Sequence, residues 1–162
     1  MRRTAAEIDV LFRRVGRDLL LSWAGSAGSF DDADLATSRR RGPRGAVVDV
    51  DVAIDLAQAE QLLVNRLQTR RGELAPLGHP GYGSRHHELI GEPNTARTRN
   101  LVKLYILQAL NDDQRVGKVE RCVIREEARP RDIVRVELTI RLIDQPNPLN
   151  LVVPVELAGG PT

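Results

Sequence analysis

The feature that most constrains the fold is a strict alternation of apolar and polar side chains in "VRVELTIRLI". Every second residue from Val134 to Leu142 is aliphatic, and the residues between them are arginine, glutamate or threonine. Successive side chains of a strand point to opposite faces, so a period of two is typical of a strand with one buried face. We therefore expect a long strand here, inside an antiparallel sheet.

Two neighbouring stretches, "KVERCVIRE" and "LNLVVPVEL", are predicted to be the other strands of this sheet. In the second stretch every odd residue from Leu149 to Leu157 is aliphatic, and "DQPNP" before it supplies a turn. Pro154 has no backbone N–H, which favours an edge position for the last strand. Cys122 lies in the middle of the first stretch and is expected to be inert core.

Two segments between residues 55 and 110 carry the period of a helix. Asp55 with Gln58 has the spacing of a capping box, and the helix that follows is predicted to run to Arg70 and Arg71 and to end at Gly72. Its apolar face consists of Leu56, Ala59, Leu63 and Leu67.

The second helix is predicted from about Thr95 to Leu110, where "LVKLYILQAL" is apolar except at Lys103 and Gln108. These apolar residues occupy too many faces for a surface helix. We therefore expect the helix to lie between the sheet and another layer.

The first 45 residues are predicted to form a helix and an arm. Thr4 and Glu7 have capping-box spacing and introduce an amphipathic helix. From Ser22 to Gly45 the chain is rich in glycine, serine, aspartate and arginine, which predicts a flexible arm. Its "RRRGPR" run fits a solvated loop better than a phosphate contact, and both interpretations stay open. The apolar positions of the helix are Ile8, Leu11, Phe12, Val15 and Leu19.

Together these patterns predict an α+β fold, with helices packed on a small antiparallel sheet and preceded by an N-terminal helix and a flexible arm. The predicted parts are 1–45 (helix and arm), 46–158 (an α+β domain that begins with the strand "AVVDVDVAI") and 159–162 (a tail).

Composition argues against several classes of function. The chain of 162 residues has 24 lysines and arginines against 22 aspartates and glutamates, so its net charge of +2 gives little attraction for nucleic acid or a membrane surface. Aromatic residues are only 3% of the chain, which disfavours a base-stacking surface. One cysteine and no long apolar run lead us to expect a soluble protein made in the cytoplasm.

Motifs for catalysis or cofactor binding are weak. His79, His86 and His87 have no acidic or sulfur ligand at a recognised spacing, so we expect no metal and no cofactor. No motif supports acyl or phosphoryl transfer. A glycosidase needs two carboxylates, one of them desolvated, and the candidates in the loop region are Glu73, Glu88 and Glu92.

The glycine-rich loop after the first helix is predicted to be a packed connector. It has no run of backbone N–H groups leading into a helix N-terminus, which a phosphate cradle requires. The residues expected to shape it are Gly72, Glu73, Tyr82 and Gly83, with the Tyr82 ring buried.

Four features in a fixed order connect the chain to a known family. A helix ends in "LLVNRLQTRRGEL", a loop carries "GYGS", a long apolar helix ends in "ALNDDQRV", and antiparallel strands follow. This order resembles the sheath-initiator family, the baseplate wedge subunit of contractile phage tails, type VI secretion baseplates and extracellular injection particles. The resemblance covers about Val50 to Leu157. The family also bears an old lysozyme-like label, which keeps a muramidase-like enzyme open beside a nucleic-acid-binding module.

The resemblance implies a structural protein without catalytic turnover, in a particle assembled in the cytoplasm. Its copies would form a ring near the hub, spike and tube, and its partners would be sheath subunits and other wedge proteins. In the family a Glu-Pro-Arg element attaches the subunit to the wedge, and the matching residues here are Asp113, Gln114 and Arg115. The acid is shortened and the proline replaced, but the arginine is kept and is expected to be exposed.

The last strand is the predicted sheath-docking edge. Backbone N–H and C=O groups of successive strand residues point to alternate sides, so Pro154 belongs with the residues that face away from the neighbouring strand. The outward row would then be Asn150, Val152 and Glu156.

Overall fold

The computed structural model describes residues 18–23, 33–42, 45–53, 55–126, 133–143 and 145–157. The chain divides into two compact units, of residues 1–62 and 63–162, and the division falls within a helix. The predicted N-terminal helix lies outside the described residues except near its end. There Leu19, predicted to lie on that helix, belongs to a short strand and is exposed.

The first unit contains three antiparallel strand pairs. Backbone bonds of 2.8 Å join them, from Ala36 N–H to the carbonyl of Leu20, from Leu20 N–H to that of Asp51, and from Asp51 N–H to that of Ala36. The pairs are β1 (Asp18–Leu19) with β6 (Val52–Ala53), β2 (Leu21–Trp23) with β3 (Ala33–Leu35), and β4 (Thr37–Gly42) with β5 (Gly45–Val50).

The prediction of a flexible arm from Ser22 to Gly45 is wrong for residues 33–42, which form β3 and β4. The arginine-rich run pairs with the valine-rich run in register from Thr37 and Val50 to Gly42 and Gly45. The hydrogen bonds of a strand ladder use backbone groups, which arginine and valine both have, so composition alone misled the prediction. The strand predicted in "AVVDVDVAI" is confirmed as β5 and β6.

A helix follows these strands, and one of its side chains hydrogen-bonds the strand backbone as a neighbouring strand would. Helix α1 is Asp55–Gln68. The Gln61 side-chain amide donates to the carbonyl of Leu19 at 2.8 Å and accepts from the N–H of Leu21 at 2.9 Å. Gln61 is 5% exposed, so these bonds satisfy a buried amide and two strand backbone groups together.

The buried face of α1 agrees with the predicted one at Ala59, Leu63 and Leu67. The helix ends earlier than predicted, at Gln68 instead of Arg71. After Gln68 the chain pairs with the end of the loop, because Ser84 N–H donates to the carbonyl of Thr69 (2.9 Å) and Arg71 N–H donates to that of Ser84 (3.1 Å). These bonds replace helical ones.

The loop from residue 69 to 84 closes on itself where two backbones approach closely. A short 3₁₀ turn, Ala75–Leu77, is capped by Gly78, and a second one, His86–Leu89, follows the loop. Gly83 has φ +98°, and a Cβ there would lie 2.6 Å from the carbonyl oxygen of Thr69. Only glycine fits this position without displacing the backbone.

Helix α2 is Ala96–Asn111, and the Thr95 side chain caps it by accepting from the N–H of Thr98 at 3.2 Å. The prediction that α2 lies between two layers is wrong for the described part of the chain. Its buried residues recur at helical spacing on one side, while Leu104 on the other side is 48% exposed. The buried residues are Thr98, Val102, Ile106, Ala109 and Leu110.

Three antiparallel strands complete the described part of the second unit. They are β7 (Val116–Glu126), β8 (Ile133–Leu142) and β9 (Leu149–Glu156), in that order across the sheet. The predicted alternation is confirmed, because alternate residues of β8 and β9 are buried and the residues between them are more exposed. With α1, α2 and this sheet, the α+β prediction is confirmed.

We predict that Gly83→Ala destabilises the protein by about 3 kcal/mol, because it adds a steric clash to a strained positive φ. Gly72→Ala is the matched control, since Gly72 also has positive φ (+88°) but open space around its Cβ position. It should cost about 1 kcal/mol. Urea unfolding curves measure both values, and equal losses would contradict the close approach at Gly83.

Candidate functional site

The turn between α2 and β7 is built around the carboxylate of Asp113. Its Oδ1 accepts from the backbone N–H of Arg115 at 3.0 Å and from Arg115 Nε at 2.8 Å, and its Oδ2 accepts from Arg115 Nη2 at 2.6 Å. The backbone carbonyl of Asp113 also accepts a hydrogen bond from the N–H of Val116, at 3.0 Å. One residue therefore ends the helix turn and starts the strand.

Arg66 on α1 completes this cluster from the other side. Its Nε donates to the backbone carbonyl of Ala109 at 2.8 Å, and its Nη1 lies 3.5 Å from Asp113 Oδ2. The Arg66 guanidinium also stacks over the Tyr82 ring, 4.9 Å from its centroid. Sequence reasoning missed Arg66. The available signal was a charged residue next to Leu67 and three positions after Leu63, on the apolar side of the helix.

The pKa values of the cluster follow from these contacts. Burial opposes ionisation of Asp113, but hydrogen bonds from the Arg115 side chain and backbone outweigh it and lower the pKa of that carboxyl. The same hydrogen bond raises the pKa of Arg115. Burial raises the pKa of Tyr82, although Arg66 and Arg115 act in the opposite direction. At neutral pH the cluster is therefore an ion pair flanked by a neutral phenol.

The three residues predicted to attach the protein to a wedge have different environments. The Asp113 side chain is 3% exposed and that of Arg115 is 25% exposed, while Gln114 lies on the surface. The expectation that Arg115 is exposed is wrong, because its side chain is only partly exposed and Asp113 holds its guanidinium. Wedge attachment stays a prediction, and only Gln114 and part of Arg115 are available for it.

Of the loop residues predicted as structural, Tyr82 contacts this cluster, and the others shape the loop itself. Glu73 Oε2 accepts from the N–H of Arg70 at 3.0 Å and steadies the turn that contains Gly72. Tyr82 is partly buried under Arg66, and the next residue, Gly83, allows the return toward α1.

Strand β9 is an edge of the sheet within the described residues. Pro154 lies opposite Arg135, and Val152 lies opposite Glu137. Pro154 has no N–H to donate to β8, so its pair with Arg135 exchanges no backbone hydrogen bonds. Such pairs recur at every second residue of an antiparallel strand. The N–H and C=O groups of the even residues of β9 are therefore assigned to the side away from β8. Asn150, Val152 and Glu156 therefore present an unpaired backbone row, and Val152 is 47% exposed.

Two of the three histidines, His86 and His87, are held by hydrogen bonds. His86 is buried, and its Nδ1 lies 2.8 Å from Ser84 Oγ. The Nε2 of His87 lies 2.8 Å from the carbonyl oxygen of Leu67, so this nitrogen is the donor. The two rings stack with centroids 4.1 Å apart, and His79 is exposed. Among the described residues, no three histidine, cysteine, aspartate or glutamate side chains are grouped to hold a metal.

The glutamates considered for glycosidase chemistry lie on the surface. Glu73 and Glu92 are exposed, and Glu88 accepts two hydrogen bonds from Arg85 at 3.0 and 2.9 Å. The bond from Arg85 lowers the pKa of Glu88. A general acid needs a raised pKa, so Glu88 lacks the environment for that role.

None of the helices in the described ranges has both the length and the apolar character to cross a bilayer.

No protein-family model and no curated protein matches the chain. Among solved structures, it is similar to a protein from Geobacter sulfurreducens whose crystal structure at 1.44 Å resolution is described as a "putative tail lysozyme". The two share 21% sequence identity with a TM-score of 0.51, over 65% of this chain and 96% of the other. At this identity the likeness establishes a shared fold over that part of the chain.

We predict that Asp113→Asn destabilises the protein by about 3 kcal/mol, because it leaves Arg66 buried without a counter-ion. Asp112→Asn is the adjacent control. Asp112 also pairs with an arginine, Arg71, at 2.9 Å, but the side chains are 46% and 36% exposed. Its loss should cost about 0.5 kcal/mol. Thermal unfolding compares the two variants, and similar losses would contradict a central role for Asp113.

Stability should fall as the pH is lowered through the range in which His86 titrates. Burial lowers the pKa of His86 from 6.5 to about 3, so the unfolded chain binds the proton first. This stability is fully present above pH 6.5 and is lost progressively as the pH falls toward 3, and the loss at pH 4 is about 3 kcal/mol. His86→Gln should flatten this part of the stability profile measured by urea unfolding. An unchanged slope would show that His86 is not buried neutral.

Proposed function

We propose that this protein is a structural baseplate component of a phage-tail-like contractile injection system. It anchors the contractile sheath to the baseplate and templates sheath polymerisation. Its partners are sheath subunits and other wedge proteins, and it needs no cofactor. It acts as one of several copies in a ring near the hub, spike and tube, in a particle assembled in the cytoplasm.

The observation that carries this proposal is the outward backbone row of β9. The strand is regular along its whole pairing with β8, from Leu149 to Glu156. Regular edges with exposed apolar side chains are aggregation hazards unless a partner strand covers them. Strand addition supplies affinity through backbone hydrogen bonds, and Pro154 leaves a gap that restricts which partner register fits.

The fold supports the same context. The similar solved structure is described as a "putative tail lysozyme", and the order of sequence features resembles the sheath-initiator family. Shared fold alone does not determine function, so the proposal depends on the surface that the fold presents.

A muramidase role is the alternative, and the candidate carboxylates argue against it. Glu88 is paired with Arg85, and the other two candidates, Glu73 and Glu92, are exposed to water, whereas one carboxyl group of a glycosidase has to be desolvated. The two tyrosine rings are covered by arginines, Tyr105 by Arg85 at 4.7 Å and Tyr82 by Arg66 at 4.9 Å, which argues against their use as a base-stacking platform.

We predict that Val152→Pro leaves the fold intact but stops sheath nucleation, because it removes a second outward N–H from β9. Val152→Thr is the matched control, since it keeps the N–H and a similar shape. Circular dichroism checks the fold, and sheath length on purified baseplates measures nucleation by electron microscopy. Normal sheath on Val152→Pro baseplates would place the docking surface elsewhere.

A further inference from the structure

Helix α2 carries a second apolar stripe on the side opposite its buried residues. Leu104 is 48% exposed, and Leu101, three positions earlier, is partly exposed. Residues three and four positions apart lie on one face of a helix. The line therefore continues to Arg97, four positions before the first leucine, and to Gln108, four positions after the second. These four residues, here called the outward stripe, have the spacing of a helix-packing seam.

The N-terminal end of the outward stripe is a cation. Arg97 is exposed, and within the described part of the chain no residue forms a hydrogen bond or an ion pair with its side chain. The whole helix from Ala96 to Asn111 has three cations and no aspartate or glutamate. An acidic group that approaches this end therefore meets no competing carboxylate on α2.

The other end of the outward stripe lies beside a hollow that also offers cations. This cationic hollow is an open space of about 310 Å³, lined by Arg71, Arg85, Gln108 and Asp112. Arg71 donates to Asp112 from Nη1. Arg85 donates to Glu88 from Nε and Nη2. A guanidinium has five N–H groups, so both arginines keep donors for a further acid.

The charge of α2 disfavours a second copy of the same helix as the occupant of the stripe. In a parallel pair Arg97 would meet its own copy, and in an antiparallel pair centred on Leu104 it would meet Asn111. Neither arrangement supplies an acid, and both bring two helices of three cations together. Like charges in contact are costly, so complementarity favours an acidic helix from a different protein.

We propose that the outward stripe of α2 is a docking site for an amphipathic helix of a partner protein, with two apolar side chains between two acidic ones on one face. The stripe is about 16 Å long at 1.5 Å per residue. A helix with acids at positions i and i+11 and apolar residues at i+4 and i+7 presents all four on one face, since eleven residues make about three turns. The apolar pair covers Leu101 and Leu104, one acid pairs with Arg97, and the other enters the cationic hollow.

The site uses no residue of β9 and none of the residues predicted to attach the protein to a wedge. Its test is therefore independent of the sheath-anchoring role.

The probe is a synthetic peptide of about four helical turns. It has glutamate at i and i+11, leucine at i+4 and i+7, and alanine or glutamine elsewhere. The matched control has the same composition, with both glutamates moved to the opposite face at i+2 and i+9. In fluorescence anisotropy titrations with the full chain, the probe should bind about tenfold more tightly than the control, because only the probe pairs its acids with the arginines. Equal affinities would overturn the proposal.

Two variants of exposed side chains test the parts of the site separately. Leu104→Ala should weaken binding of the probe about tenfold, because it removes the most exposed apolar contact of the stripe. Arg97→Glu should weaken it about fivefold, and should strengthen binding of a peptide with lysine in place of one glutamate. Circular dichroism checks that both variants are folded. A probe affinity that neither variant changes would contradict the site.

Analytical ultracentrifugation of the full chain without peptide tests the alternative occupant. Leu104→Ala should leave the sedimentation coefficient unchanged, because the stripe is free in the absence of the partner helix. A dimer that this substitution dissociates would show that a second copy occupies the stripe, and would overturn the assignment to an acidic partner.

Discussion

The ion pair between buried Asp113 and Arg115 is the interaction on which the second unit depends. The Asp113 side chain is 3% exposed, so its carboxylate must be hydrogen-bonded and charge-compensated, and Arg115 does both from two residues away. Arg66 adds a second positive charge from α1 and ties the end of α2 through the carbonyl of Ala109. This cluster therefore joins the end of α2, the Tyr82 ring of the loop and the start of β7.

This cluster also bears on the surfaces available for binding. It sets where β7 begins, and β7 and β8 then align β9, whose odd residues are buried and whose even residues face outward. The resulting sheet has two edges of different character in the described structure. At β9 the side chains of the edge strand alternate cleanly, whereas β7 carries register shifts in its first half and an uncovered apolar face in its second.

The elements with a strong period were predictable from sequence. The alternation from Val134 to Leu142 and the buried positions of α1 follow from side-chain spacing, which the fold preserves. The β4–β5 hairpin was missed because its pairing uses backbone groups, which an arginine-rich composition does not reveal. The one-sided burial of α2 at Leu104 was missed because apolar content does not state how many layers cover a helix.

The candidate site was less predictable for a related reason. Asp113 and Arg115 were selected through a family resemblance, but their burial depends on Arg66, which is 47 positions before Asp113 in the numbering of the chain. Only the folded chain brings these charges together. The outward row of β9, by contrast, follows from the position of Pro154 and the alternation of backbone groups along a strand. It could therefore be predicted from the sequence.

Amide hydrogen exchange along β9 tests the central claim of a sheath-docking edge most directly. In the free protein, the amides of Asn150, Val152 and Glu156 should exchange rapidly, and those of Leu151, Val153 and Val155 should be protected by β8. In baseplates that carry sheath, the outward amides should become protected as well. Outward amides that are already protected in the free protein, or that stay unprotected beneath an assembled sheath, would contradict the account.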